Sequence, residues 1–231
     1  MASMGEMISN IAHQWRQPLS VISTIATGIK LQKEINLLNN DELVGNMELI
    51  NKNAQYLSKT IDDFRNFIKG DRNIQDYNLT DTIINFTHIV ESSIKNHNIK
   101  VILDLNDEIQ IEGNSNELIQ CLINLFNNSK DALVETKQNE PLILITTQIE
   151  ENSILIKMKD NAEGIPEDIL PKIYEPYFTT KHQSQGTGLG LHMTYRLITE
   201  AMNGKIETTN VEFKYENKLY KGVEFKIILD M

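Results

Sequence analysis

From Met4 to about Lys69 the apolar residues recur in alternating steps of four and three. Met4, Ile8, Ile11, Trp15, Pro18, Ile22, Ile25 and Ile29 form one stripe. Past the polar break Asn39-Asn40-Asp41, the stripe resumes at Leu43, Met47, Ile50, Ala54, Leu57, Ile61, Phe64 and Ile68. Heptad spacing of this kind predicts two long helices, each with one narrow apolar seam. Asp41 is the expected N-cap of the second, and Glu42 complements the helix dipole in its first turn. A short polar connection implies an antiparallel hairpin. Such a hairpin leaves part of both seams wet, and pairing of two copies into a four-helix bundle would cover them.

Gly70-Asp71-Arg72-Asn73 closes the second helix, and the period then changes. Leu79 to about Lys95 reads as an amphipathic helix introduced by Thr80 or Asn78. Val101, Leu103 and Leu105 alternate as a strand does, followed by Ile109 and Ile111. Glu117–Val134 is a strongly apolar helix, and Leu142–Ile149 and Ile154–Met158 read as strands. Leu189–Met202 is a helix ended by Asn203-Gly204, and Lys205–Val211 with Val223–Leu229 form a closing strand pair. The expected fold class is therefore α+β. Residues 1–72 form a helical hairpin domain that dimerises as a four-helix bundle, and residues 73–231 form an α/β sandwich with its own core.

Composition narrows the function. Of 231 residues, 22 are basic and 32 acidic, for a net charge of −10, which disfavours a nucleic-acid partner. One cysteine excludes a disulfide framework or a four-cysteine zinc site and suits a reducing cytosol. No apolar run reaches the ~18–20 residues of a membrane span, and no signal peptide opens the chain. Met1-Ala2-Ser3 reads as an expression leader, and Met4 begins inside a helical pattern. The expectation is a cytoplasmic part of a longer protein whose only membrane contact lies in a missing sensor region.

Three local patterns carry chemistry. In the apolar helix, Asn124 and Asn128 lie four apart, on one face. A carboxamide oxygen is a hard neutral ligand that can complete the shell of a phosphate-bound Mg²⁺. Asp160, with Asn161-Ala162-Glu163-Gly164 behind it, follows a strand. A carboxylate there can accept a hydrogen bond from an exocyclic amine such as adenine's, and a small-residue turn lets a flat ring approach the backbone. Gly186-Thr187-Gly188-Leu189-Gly190 opens a helix, where backbone N–H groups can close around phosphate oxygens. It follows a polar loop instead of a strand, which argues against a dinucleotide fingerprint, and no Gly-Lys-Ser/Thr follows to make a Walker loop.

In this order the three patterns resemble the N, G1 and G2 boxes of the Bergerat-fold ATP-binding superfamily. Glu175-Pro176-Tyr177-Phe178-Thr179-Thr180-Lys181 resembles the F box of its histidine-kinase branch, in which roughly Ile173–Gln185 forms a mobile lid. Ile8-Ser9-Asn10-Ile11-Ala12-His13-Gln14-Trp15-Arg16-Gln17-Pro18-Leu19 resembles the H box of sensor histidine kinases, in the subgroup with a His-Gln-Trp-Arg-Gln-Pro signature. The resemblance implies a protein histidine kinase of a two-component system that uses ATP and Mg²⁺. His13 would be the phosphorylated nucleophile, and Asn124, Asn128, Asp160, Gly164, Lys181, Gly186, Thr187, Gly188, Leu189 and Gly190 would bind nucleotide, with Asn128 at the metal. A response-regulator receiver domain would take the phosphoryl group onto its aspartate. His13 stands two residues after a seam position, which projects it off the bundle. A neutral imidazole at pH 7 has one free lone pair for attack on phosphorus. Pro18 removes the N–H that would bond to the carbonyl of Gln14, so the helix can bend there.

Three positions depart from the family pattern. Gln14 replaces an acidic residue that takes the imidazole proton in many members, so no general base is assigned. Ala162 stands where glycine is usual and would crowd the purine, or be strained if its φ must be positive. Asp131 stands where a lysine often follows the N-box asparagine. Two rival readings are an ATP hydrolase of the gyrase, mismatch-repair or chaperone type, and a dimeric scaffold with a decayed nucleotide site. The hydrolases place glutamate at the position of Asn124, a poor base; the scaffold is favoured by Ala162.

Overall fold

In a computed structural model the described residues are 4–68, 74–106, 108–180 and 188–231, without the side chains of 4–14, 17, 59, 60 and 62–68. The chain divides into two compact units, one helical and one built on sheet.

The helical unit is α1 (Met4–Glu34) and α2 (Asn40–Ile68), two packed helices joined by a short turn. α1 runs without interruption through Pro18. It ends in a left-handed residue, Asn36 at φ 57°. The Leu37 N–H bonds back to the Gln32 carbonyl at 2.9 Å and the Asn36 N–H to Lys33 at 3.2 Å. This paired pattern satisfies the last carbonyls of the helix. The start of α2 corrects one expectation. The capping side chain is Asn39, whose Oδ1 accepts the Asp41 N–H at 2.8 Å, while Asp41 and Glu42 both lie in the first turn. Seam residues Ile22, Ile25, Ile29, Leu43, Ile50 and Leu57 are only half-buried.

The sheet-bearing unit comprises β1 (Gln75–Asn78), α3 (Leu79–Asn96), β2 (Lys100–Asp104), β3 (Gln110–Gly113), α4 (Ser115–Glu135), β4 (Leu142–Glu150), β5 (Ser153–Asp160), α5 (Gly190–Arg196), β6 (Lys205–Tyr215) and β7 (Lys218–Asp230). The main sheet has the order β2-β4-β5-β7-β6; β2 is parallel to β4 and the other neighbours are antiparallel. β1 and β3 form a separate antiparallel pair. The overall class is α+β, a layer of helices on a mixed sheet.

Both long helices of this unit start on asparagine. Asn78 Oδ1 accepts the Asp81 N–H at 3.0 Å and Asn114 Oδ1 that of Asn116 at 3.0 Å, each satisfying a donor that has no partner within the helix. Leu79, Ile83 and Phe86 of α3 and Leu118, Leu122, Leu125 and Phe126 of α4 are buried. They meet Ile143, Ile145, Ile156 and Met158 of the sheet in one core. The Phe86 and Phe126 rings pack edge to face at 6.1 Å. Along β7, Val223, Phe225, Ile227 and Leu229 are buried and alternate with more exposed residues, as a sheet with one covered face requires. The helix expected over Leu189–Met202 changes character part-way: α5 passes into a wider π turn at Leu197–Ala201, which left-handed Asn203 ends at φ 51°. Among the described residues no helix is long and apolar enough to cross a membrane.

Candidate functional site

The last residue of β5 is the most constrained polar group of the site. Asp160 is 2% exposed. Its Oδ1 accepts the N–H of Ala162 at 3.0 Å and of Val223 at 3.3 Å, and its Oδ2 accepts the Ser129 hydroxyl at 2.7 Å. Burial pushes its carboxyl pKa up, and these three hydrogen bonds pull the other way. A carboxylate offers about four lone-pair sites, so three donors leave capacity for about one more. Next to it, Asn161 braces the start of β4. Its Oδ1 accepts the Leu142 N–H at 2.8 Å and its Nδ2 donates to the Glu140 carbonyl at 2.9 Å. β7 presses closely on this corner: a Cβ on Gly222 would lie 1.8 Å from the Asp160 carbonyl oxygen, so only glycine fits.

The turn after Asp160 corrects the strain expected at Ala162. Ala162 is absent from the positive-φ residues; these are Glu163 at 68° and Gly164 at 96°. Its methyl group is buried in the core, 3% exposed.

α4 supplies the second wall. The Asn128 Nδ2 donates to the Asn124 carbonyl at 2.7 Å, which uses one of its two amide hydrogens. Asn124 is tied to α5: its Nδ2 donates to the Gly190 carbonyl at 3.4 Å and to the Thr194 hydroxyl at 3.3 Å, and its Oδ1 accepts from Gln120 at 3.4 Å. Among the described residues no three His, Cys, Asp or Glu side chains gather to hold a metal. A cation fits here only in the company of phosphate oxygens, with a carboxamide completing its shell.

The third wall is the start of α5. Gly188 has φ +64°, and a Cβ there would lie 2.3 Å from the Tyr177 carbonyl carbon. Its carbonyl accepts the Tyr177 N–H at 2.9 Å. Leu189 is fully buried. Lys181, Gly186 and Thr187 lie outside the described residues. The side chain of His13 does too, although its position falls within α1. The stretch implied as a lid starts firmly fixed. Ile173 is in the core, the Tyr174 hydroxyl bonds to Thr208, and the Tyr174 carbonyl shares a 2.9 Å hydrogen bond with Nδ1 of His192. Burial pushes the Tyr174 phenol up to about 12.

Asn124, Asn128, Asp160, Gly188, Leu189 and Gly190 thus come from three elements joined by direct hydrogen bonds between their neighbours. Gly164 is turned towards β6, where a Cβ would lie 2.8 Å from Asn210 Oδ1. Sequence reasoning missed Ser129, Gly222, Asn210 and the tie made by His192. For Ser129 a signal existed, a hydroxyl at helical spacing on the buried face of α4 between Phe126 and Leu133; for the others the partners are too distant in sequence.

Comparison with known proteins gives the family. Residues 113–231 match the model of the histidine kinase-, DNA gyrase B- and HSP90-like ATPases, and residues 3–73 match the His kinase A phospho-acceptor domain. The C4-dicarboxylate transport sensor protein DctB of Pseudomonas aeruginosa is 27% identical over 212 residues, covering 91% of this chain and 34% of that protein. Sporulation kinase A of Bacillus subtilis is 30% identical over 224 residues, 96% of this chain and 34% of its own. This chain thus spans about a third of the length of these relatives. The solved histidine kinase ThkA, in complex with the response regulator protein TrrA, superposes with a TM-score of 0.69 at 25% identity, over 98% of this chain and 61% of that one.

Proposed function

The chain belongs to the family of histidine kinase-, DNA gyrase B- and HSP90-like ATPases and is the catalytic core of a sensor histidine kinase, and from that premise we propose how it works. Mg²⁺-ATP binds in the sheet-bearing unit, His13 is phosphorylated, and a receiver domain takes the phosphoryl group onto an aspartate. The convergence of α4, the end of β5 and the start of α5 carries this reading, through the Ser129–Asp160 and Asn124–Gly190 hydrogen bonds.

Asp160 accepts a hydrogen bond from the adenine amine with its remaining lone pair. Its three protein donors hold the carboxylate in one orientation, so binding needs no reorganisation there. Asn128 offers its Oδ1 to Mg²⁺, which when bound neutralises charge on the phosphate oxygens. Asn124 stands close to the metal and steers the start of α5, where the backbone of Gly186, Thr187, Gly188, Leu189 and Gly190 receives phosphate oxygens. Gly164 gives the purine-side turn its shape, and Lys181 balances phosphate charge. The imidazole of His13 attacks the γ-phosphorus in line, its lone pair forming the N–P bond as the bond to the ADP oxygen breaks.

Residues 1–72 would serve as the phosphotransfer and dimerisation domain and residues 73–231 as the ATP-binding domain, in the His-Gln-Trp-Arg-Gln-Pro subgroup and in the cytoplasm. Pairing of two hairpins is supported by the apolar surface the helices leave open: Leu31, Val44, Met47 and Leu49 are 57%, 59%, 49% and 48% exposed. Water activation of the hydrolase kind is disfavoured, because Asn124 is a carboxamide with its donors committed to α5. The ordinary φ of Ala162 removes one of the two grounds for a decayed site, backbone strain.

Incubation with γ-labelled ATP is the test. Acid-labile, base-stable label should appear on the wild type and be lost entirely in His13→Ala, while nucleotide binding persists. Persistent label of this kind on the variant would defeat the assignment, and release of phosphate without label would mark a hydrolase.

A further inference from the structure

We infer that Asn210, in the middle of β6, is a positioning residue for the nucleotide pocket, because its carboxamide clamps the turn that follows Asp160. The inference rests on the nucleotide-binding reading above. Asn210 Oδ1 accepts the Ile165 N–H at 2.7 Å, and its Nδ2 donates to the Ile165 carbonyl at 2.7 Å. A side-chain amide that pairs both ways with one residue's backbone reproduces the bonding of a neighbouring strand. Ile165 is 45 residues away in sequence and forms no rung of the β6 ladder, so no backbone pairing does this for it.

The turn needs such a grip. Glu163 and Gly164 hold φ of 68° and 96°, consecutive left-handed conformations that a free chain rarely keeps together. Two further ties come from the same hairpin, alongside the Asp160 carboxylate on the Ala162 N–H and Gln138, whose Nε2 donates to Glu163 Oε1 at 3.1 Å. The Glu163 N–H donates to the Lys221 carbonyl at 3.2 Å, and Gly222 packs against the Asp160 carbonyl. β6 and β7 therefore hold the turn at both ends, Asn210 through its side chain and Lys221 through its backbone. Gly164 and Asn210 fit each other, since a Cβ on Gly164 would lie 2.8 Å from the Asn210 oxygen. Asn210 is exposed and absent from the core, so its truncation leaves apolar burial unchanged. Its side chain acts on the path of residues 161–165 and touches none of the groups assigned to nucleotide other than Gly164, while its backbone lies opposite Val223, whose N–H reaches Asp160.

The experiment compares wild type, Asn210→Ala and Asn210→Asp in the full chain, with ADP and Mg²⁺ as the probe. Loss of two hydrogen bonds should weaken the ADP Kd of Asn210→Ala roughly tenfold. Asn210→Asp keeps the acceptor for the Ile165 N–H and should recover part of this. KM for ATP should rise in the same order while the phosphorylation rate at saturating ATP changes little. Without nucleotide, hydrogen exchange at the Ile165 amide should accelerate in Asn210→Ala, with the thermal midpoint of the sandwich unchanged. Unaltered exchange, or an unaltered Kd in Asn210→Ala where the wild type binds ADP, would overturn the clamp alone. A wild type that binds no ADP would instead overturn the reading on which it stands, whatever the exchange result.

Discussion

The two units of this chain solve burial in opposite ways. In the sandwich, α3, α4 and the main sheet enclose a continuous core, and residues such as Leu79, Ile83, Phe86, Leu118 and Ile143 are fully shielded. In the hairpin, Pro18 alone is buried among the described side chains, and the other described seam residues are half-buried or exposed. A two-helix layer has too few neighbours to exclude water from both seams, whereas a helix on a sheet has a second surface ready-made. The sandwich is thus self-sufficient, and the hairpin has apolar surface to share with a second copy. The proposed chemistry divides along the same line. In that proposal the sandwich would hold nucleotide, and the hairpin would carry the nucleophile.

The sharpest way to break this comparison is at the core. Phe126→Ala removes a 1%-exposed ring that packs on Phe86. It should cost about 3–5 kcal/mol in the denaturant unfolding of the sandwich while leaving the hairpin's own transition in place; an equal loss in both would mean that the two share one core. Next in size is Asp160→Asn, which should weaken the ATP Kd by roughly ten- to a hundredfold, and unchanged affinity would remove the adenine contact.

The same variant has a pH signature. Burial raises the Asp160 carboxyl in the folded state, so the folded wild type binds its proton more tightly than the unfolded chain does. Wild-type stability relative to the variant should therefore fall as pH rises from the ordinary carboxylate value of about 4 through the raised one, and level off above it. Chemical denaturation at several pH values reads this slope, and a flat difference would contradict the buried charge. The smallest effect concerns pairing. Val44 is 59% exposed near the start of α2, where an acidic side chain also suits the helix dipole. Val44→Asp should keep helical content and weaken dimerisation about tenfold, or ~1.4 kcal/mol, in sedimentation. No change would place the shared surface elsewhere on the hairpin.

Local patterns proved readable where local forces decide. The helix expected over Glu117–Val134 is α4 at Ser115–Glu135, because its apolar face repeats at the helical period and Asn114 caps it. The strand expected over Ile154–Met158 extends two residues further, to Asp160, which the pattern had placed just after a strand. At the hairpin turn the reading failed by two residues: Asp41 and Asn39 are both good caps, and the backbone path after Asn36 selects Asn39. β1 went unseen, since Gln75–Asn78 has no apolar alternation and exists through its pairing with β3.

By itself the sequence determined the helical and strand periods, the break between the two units, and the kinds of group on offer: carboxamides on a helix face, a carboxylate at a strand end, glycines before a helix. Periodicity and residue chemistry act between near neighbours, and near neighbours are what a sequence displays. Only the tertiary structure decided what surrounds each group. The Val223 amide that reaches Asp160 is 63 residues away, and the amide of Asn210 that grips Ile165 is 45. Chain folding brings such partners within 3–4 Å, where burial and hydrogen bonding set orientation and charge state, and no local pattern encodes that approach.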